Sequence, residues 1–182
     1  FDDIRPDGYM GEALRGIDLR VLNNDSRLRK YGEGYLCVKT PAMMVNTQDK
    51  VLFNDFLKTR DFVRLEKNGS VVFLARADDI INVGGITVYP KEIELILRKH
   101  PDVTDCLVIK LQDPFYEEVP IACVETGNKK LNSSKVLGYL SQNLANYQLP
   151  KQVYFFDNFP KISLNKVDQS RIQEMILNEV RA

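Results

Sequence analysis

The 182 residues carry 25 basic and 25 acidic side chains that cancel, so no overall field draws the chain to nucleic acid or to an anionic membrane surface, and small, locally recognised ligands are the partners to look for. An apolar fraction of 44% suffices for a packed core in one ordinary domain or two small ones. No apolar stretch is long enough to cross a bilayer and no charged-then-apolar leader opens the sequence, which begins at Phe1 rather than Met and so reads as part of something larger.

Residues 1–70 set short apolar runs, at 17–22, 35–38, 43–45 and 62–65, between Gly, Asn and Asp, the pattern of a small β region. Asn23-Asn24-Asp25 and Lys67-Asn68-Gly69 are turn formers, and the second predicts a hairpin joining 62–65 to 71–74. Asp61 taken alone is a turn residue. Val71-Val72-Phe73-Leu74 is β-branched and aromatic enough for a buried strand, and Pro90 opens a segment in which Ile93, Ile96 and Leu97 recur at helical spacing, so the middle of the chain reads as strand, loop, helix. Arg76, Asp78 and Asp79 place charge at the strand end, and Gly84-Gly85 permits positive φ or the close approach of a ligand or another backbone.

The helix is expected over 90–99, and His100, the single histidine, falls at its end, where it can contact the last carbonyls. Strands follow at 105–110 and 120–125. A second helix starts near Ser134, with Val136, Leu137, Leu140 and Leu144 on one face and Ser133 or Ser134 as cap. A strand at 152–156 and a last helix from about Asp168, with Ile172, Met175, Ile176 and Val180 on one face, complete an α+β pattern. Both apolar faces are core surfaces in this reading. Cys37, Cys106 and Cys123 are odd in number and lack metal-site spacing, which fits buried reduced thiols in a cytoplasmic protein and offers no protein metal site. Lys166 by itself is one solvated lysine among many.

Five segments carry a resemblance. Residues 76–94, R-A-D-D-I-I-N-V-G-G-I-T-V-Y-P-K-E-I-E, resemble the hinge motif G-R-x-D-D-x-I-x-x-x-G-x-x-V/I-x-P-x-E-I-E of the adenylate-forming enzymes, which include acyl-CoA and aryl-CoA synthetases, peptide-synthetase adenylation domains and luciferases. Residues 32–38 look like the family's G-E-x-x-V-x-G strand, and Lys58-Thr59-Arg60-Asp61 looks like its T-G-D with Arg60 in place of glycine. Residues 146–150 and 159–168 resemble Y-x-x-P and P-K-x-x-x-G-K-V/I-D, with Asn165 in place of glycine. Asn tolerates the left-handed conformation better than most residues.

The resemblance covers nearly the whole chain and implies a small β-barrel-like subdomain over 1–76, the last part of a large N-terminal domain, followed by a mobile α+β lid domain over 77–182. It implies an acid–CoA ligase that uses Mg2+ and ATP to make an acyl-adenylate and then transfers the acyl group to CoA. The alternatives are an adenylation domain that loads a carrier-protein thiol and a non-catalytic lid-only interaction module. Lys166 falls on the catalytic lysine that reaches the substrate carboxylate and α-phosphate. Asp61 and Arg76 fall on nucleotide-binding positions that contact the ribose, Asp78 on the hinge, and Gly84 and Gly85 on the loop past which the pantetheine arm of CoA runs. Thr87 departs from members that carry a basic residue there. The family's S-x-T-T-G-x-P-K phosphate loop does not occur, and neither does G-x-x-x-x-G-K-S/T nor G-x-G-x-x-G. The 182 residues alone are therefore expected to bind none of these substrates productively and to be inactive.

Overall fold

From Tyr9 to Arg76 the backbone builds one antiparallel sheet from strands β1 (Tyr9–Glu12), β2 (Asp18–Leu22), β3 (Leu28–Arg29), β4 (Gly32–Lys39), β5 (Leu52–Phe53), β6 (Phe56–Leu65) and β7 (Ser70–Arg76). The structure is a computed structural model, and it describes residues 8–23, 25–42, 52–163 and 166–181; the apolar run 43–45 and Asn165 lie outside them. The strand order is β1-β7-β6-β4-β2-β3, with β5 beside β6. Successive side chains leave a strand on opposite faces, and here both faces bury: Val21, Leu36, Val63, Leu65 and Val71 form one cluster, and Leu22, Cys37 and Phe56 another. A Cβ on Gly34 would lie 2.6 Å from the Leu22 carbonyl oxygen, so β4 approaches β2 at a distance only glycine allows. The expected hairpin is present, with Leu65 opposite Val71 and Val63 opposite Phe73. Its turn is closed by Gly69 at φ 91° and by the bond from Gly69 N to Glu66 O at 3.0 Å. Among the described residues β1 and β3 are end strands that do not pair with each other, so no closed barrel forms and the barrel-like subdomain is, over these residues, an open sheet.

The chain divides into two compact units, Phe1–Asp78 and Asp79–Ala182. The second contains β8 (Ile81–Val83), β9 (Ile86–Val88), α1 (Pro90–Leu97), β10 (Asp105–Asp113), β11 (Glu117–Glu125), α2 (Ser133–Leu140), β12 (Gln152–Phe156), β13 (Lys161–Ser163), β14 (Lys166–Val167) and α3 (Gln169–Arg181). Strands β10, β11, β8 and β9 lie side by side in that order, β12 pairs with β11, and β13 and β14 form a separate ribbon. Parallel strands need a crossover; β11 and β12 are parallel, and α2 supplies the connection. One sheet face packs against α1 and α2 through Ile81, Val88, Ile93, Leu97, Val136 and Leu140. The other packs against α3 through Ile121, Cys123, Phe159, Ile172 and Ile176.

Several expectations are corrected. The stretch read as a loop between strand and helix contains the β8–β9 hairpin, Ile81 facing Val88 and Asn82 facing Thr87. The cap of α2 is Asn132, whose side chain accepts from Lys135 N at 3.0 Å; asparagine does this as well as serine. Helix α2 ends at Leu140, with Leu144 packing beyond it. Met175 is 43% exposed, so the buried face of α3 is narrower than its periodicity suggested.

The cysteines are free and buried, and burial pushes the thiols of Cys106 and Cys123 up to about 12. His100 accepts from Asp102 N at Nδ1, 3.1 Å, and sets its ring edge-on to Tyr139 at 4.8 Å; it joins the end of α1 to α2. On the outer side of β10, the buried Glu94 of α1 accepts from Val108 N at 3.0 Å, and Arg98 donates to Cys106 O at 3.1 Å. Among the described residues no helix is long and apolar enough to cross a membrane.

Candidate functional site

In the first unit, two of the singled-out residues meet at the end of the β6–β7 hairpin. Antiparallel register sets Asp61 opposite Arg76, and Arg76 Nη1 lies 2.6 Å from Asp61 Oδ1. The aspartate is three-quarters buried and the arginine half exposed. The ion pair orients a carboxylate, an acceptor on both oxygens, beside a guanidinium with further donors. Arg60, the residue that replaces glycine in the resembled pattern, points to Asp78, with Nη1 3.2 Å from Oδ2. Its carbonyl accepts from Ala77 N at 2.7 Å. Both charged groups of that pair are exposed, which limits its contribution to about 0–1 kcal/mol.

In the second unit Gly84 and Gly85 are the two turn residues of the β8–β9 hairpin, at φ 57° and 86°. Positive φ at both central positions is the requirement of the tight two-residue turn that fits strand twist. A Cβ on Gly85 would meet nothing within 4 Å, so it is backbone conformation, not crowding, that calls for glycine there. Gly84 N donates to Tyr116 O at 2.8 Å. Tyr116 is in turn placed by Asp113, which ends β10 and accepts from the amides of Phe115 and Tyr116 at 2.9 and 3.1 Å. Asp113 is buried and ion-paired with Lys151. The Lys151 ammonium first, and then those amides, hold its carboxyl below the ordinary aspartate range. Beside the turn, Gly84, Ile86, Tyr116, Tyr147, Leu149 and Lys151 line a cleft of about 510 Å³. The sequence reading missed Asp113, Tyr116 and Lys151; Asp113-Pro114 carried a turn signal that points to them.

Lys166 stands on β14, exposed, opposite Ser163 of β13. The ribbon is tied at its base, where Asp168 N donates to Pro160 O at 2.8 Å. Asp168 also caps α3 by accepting from Arg171 N at 3.0 Å. A lysine so placed has its four-carbon stem free to carry a compact cation to an anionic group.

Residues 92–166, from the first turn of α1 to Lys166 itself, match the family model described as the AMP-binding enzyme C-terminal domain. Over that stretch the chain is similar to this domain. The whole chain, with the sheet that precedes this stretch, is similar to a long-chain-fatty-acid–CoA ligase of Mycobacterium tuberculosis, 28% identical over 95% of this chain and 36% of the ligase. The solved structure of ATP-bound MatB from Rhodopseudomonas palustris matches with TM-score 0.81 and 29% identity, over 96% of this chain and 37% of that one. The o-succinylbenzoate CoA synthetase of Bacillus subtilis, solved with its acyl-adenylate intermediate, matches with TM-score 0.77 and 27% identity, over 91% and 35%. The chain thus spans little more than a third of the length of these relatives, and over that span it is similar to adenylate-forming acyl- and aryl-CoA synthetases.

Proposed function

We propose that this chain is the C-terminal part of an ATP-dependent acid–CoA ligase, which activates a carboxylic acid as its acyl-adenylate and passes the acyl group to the thiol of CoA. One observation carries the reading: within a single compact unit similar to such ligases, an exposed lysine and a double-glycine turn sit on separate elements, the β13–β14 ribbon and the five-stranded sheet. Two half-reactions at one carbonyl need different groups beside it in turn, and a small body with two separate tools can present them one after the other.

In this reading residues 1–76 close the large domain, residues 77–182 form the lid, and Asp78 is the pivot. Asp61 and Arg76 hold the ribose hydroxyls of ATP, for which an oriented carboxylate with free acceptor sites is suited. Lys166 stabilises the charge that develops as the carboxylate attacks the α-phosphate, where two anions are forced together. Gly84 and Gly85, with no side chains, leave room for the pantetheine arm of CoA. Thr87, exposed on β9, supplies no cation to a CoA phosphate. Among the described residues no cluster of three or more His, Cys, Asp or Glu is placed to hold a metal ion; in this reading Mg2+ enters with ATP, whose phosphates hold it. Three buried free thiols accord with the cytoplasm as the compartment.

Single-turnover measurement of each half-reaction in the complete ligase tests this. Lys166→Ala is expected to slow adenylation by about 10²–10³ and to leave thioester formation from supplied acyl-adenylate intact. Lys166→Arg should not rescue, since a planar fork places its charge differently from an ammonium. Equal losses in both steps, or none in adenylation, would reject the assignment.

A further inference from the structure

Among the described residues four that are not glycine have positive φ: Ser26, Asn54, Asp55 and Glu117. The first three are short polar residues of the kind that turns favour, and Asn and Asp in particular tolerate this region. Glu117, at φ 65°, is not of that kind. Glu118 N donates to Tyr116 O at 2.8 Å, so residues 116–118 form a γ-turn with positive φ at its centre, the rarer and more strained of the two forms. Glycine would make the same turn without strain.

What glycine would lack is the carboxylate. Glu117 Oε2 accepts from Asn82 Nδ2 at 2.7 Å, while Glu118 Oε2 accepts from Asn82 N at 2.8 Å. Asn82 is the middle residue of β8, two positions before Gly84. The turn also aims Tyr116 O at Gly84 N and sets Glu117 opposite Val83 in the sheet. Lys110 backs the clamp, its ammonium 3.1 Å from Glu118 Oε1 and 3.1 Å from Ile80 O. Two consecutive glutamates and a carbonyl therefore grip β8 on one side, and the grip depends on a backbone bend that glutamate adopts only under strain.

We infer that Glu117 is a positioning residue: its strained backbone is held because its carboxylate, through Asn82, fixes the Gly84-Gly85 turn. The role of that turn as acceptor loop rests on the function proposed above, whereas the clamp itself does not.

Hydrogen exchange of the Asn82 and Gly84 amides, measured with thermal melts on the 182-residue protein, tests the clamp. Glu117→Gly and Glu117→Ala should each speed exchange at these two amides by about tenfold, the loss of one good hydrogen bond. Glu117→Gln, whose amide oxygen still accepts, should restore protection. Asn82→Ala should loosen the turn in the same way, and combining it with Glu117→Gly should add nothing further. The strain is read from the Gly variant melting about 2–4 °C above the Ala variant. Unchanged exchange in both Glu117 variants, no rescue by glutamine, or equal melting of the Gly and Ala variants would overturn the inference. In the complete ligase, Glu117→Gly should slow thioester formation and spare adenylation; a loosened turn with an unchanged thioester step would uphold the clamp and sink the acceptor role of the loop.

Discussion

Two hairpins of the second unit invite comparison. The β8–β9 hairpin is bound into the five-stranded sheet, its Ile81 fully buried, and Glu117, Glu118 and Tyr116 all bond to it. The β13–β14 ribbon pairs within itself, is anchored at its base by Pro160 and Asp168, and leaves Ile162 65% exposed. In the function proposed above, the difference follows from what each carries. A glycine turn acts through backbone position, and backbone can be placed only by the structure around it. Lysine brings its own reach, so a ribbon secured at its base is support enough.

Substitutions on the two hairpins put this contrast to the test. The largest effect is expected at Ile81, where truncation to alanine opens a cavity in the core and should cost about 2–5 kcal/mol in denaturant unfolding. Ile162→Ala should stay within about 0.5 kcal/mol; a loss there matching that of Ile81 would show the ribbon to be as built-in as the sheet.

Asp113→Asn comes next. The folded-state pKa of Asp113 is depressed, so its stabilisation is fully present above the ordinary aspartate value near 3.8 and is lost as pH falls through the lower folded value. The variant should melt several degrees lower at pH 7, and the gap should narrow as pH falls below 3.8 and close beneath the lower folded value. A gap that does not depend on pH would show that the carboxylate charge is not what places Tyr116. Smaller still, Gly85→Ala should lose about 1–2 kcal/mol because φ is positive, although the added methyl meets open space. An alanine variant of full stability would mean that the turn can relax, against the tight hold argued for β8–β9.

Much of the fold was legible where local chemistry and packing agree. The strand Gln152–Phe156 and the Lys67-Asn68-Gly69 hairpin appear where apolar runs and turn formers placed them. The β8–β9 hairpin was not legible, because three-residue strands are too short to show a period and Gly84-Gly85 suits loops and hairpins alike. At α2, serine and asparagine compete for one capping position with similar propensity, and only the backbone shows Asn132 in the extended conformation that a cap requires. Lys166, Asp61 and Arg76 were singled out by motif rather than by physics. That Asp61 and Arg76 face each other depends on a strand register that neither residue reveals alone. Glu117 carried no mark at all, since nothing in a glutamate announces a positive φ.

The grip of α1 on the outer side of β10 also bears on how this chain behaves in company. A strand with no neighbour on one side is a template on which another molecule can add its own strand, the first step of fibrous self-assembly. Here Glu94 and Arg98 already occupy Val108 N and Cys106 O, so two rungs of that ladder are filled from within. A concentrated solution of the protein is thereby denied one ready route to aggregation, by two side chains to which the proposed chemistry assigns no role.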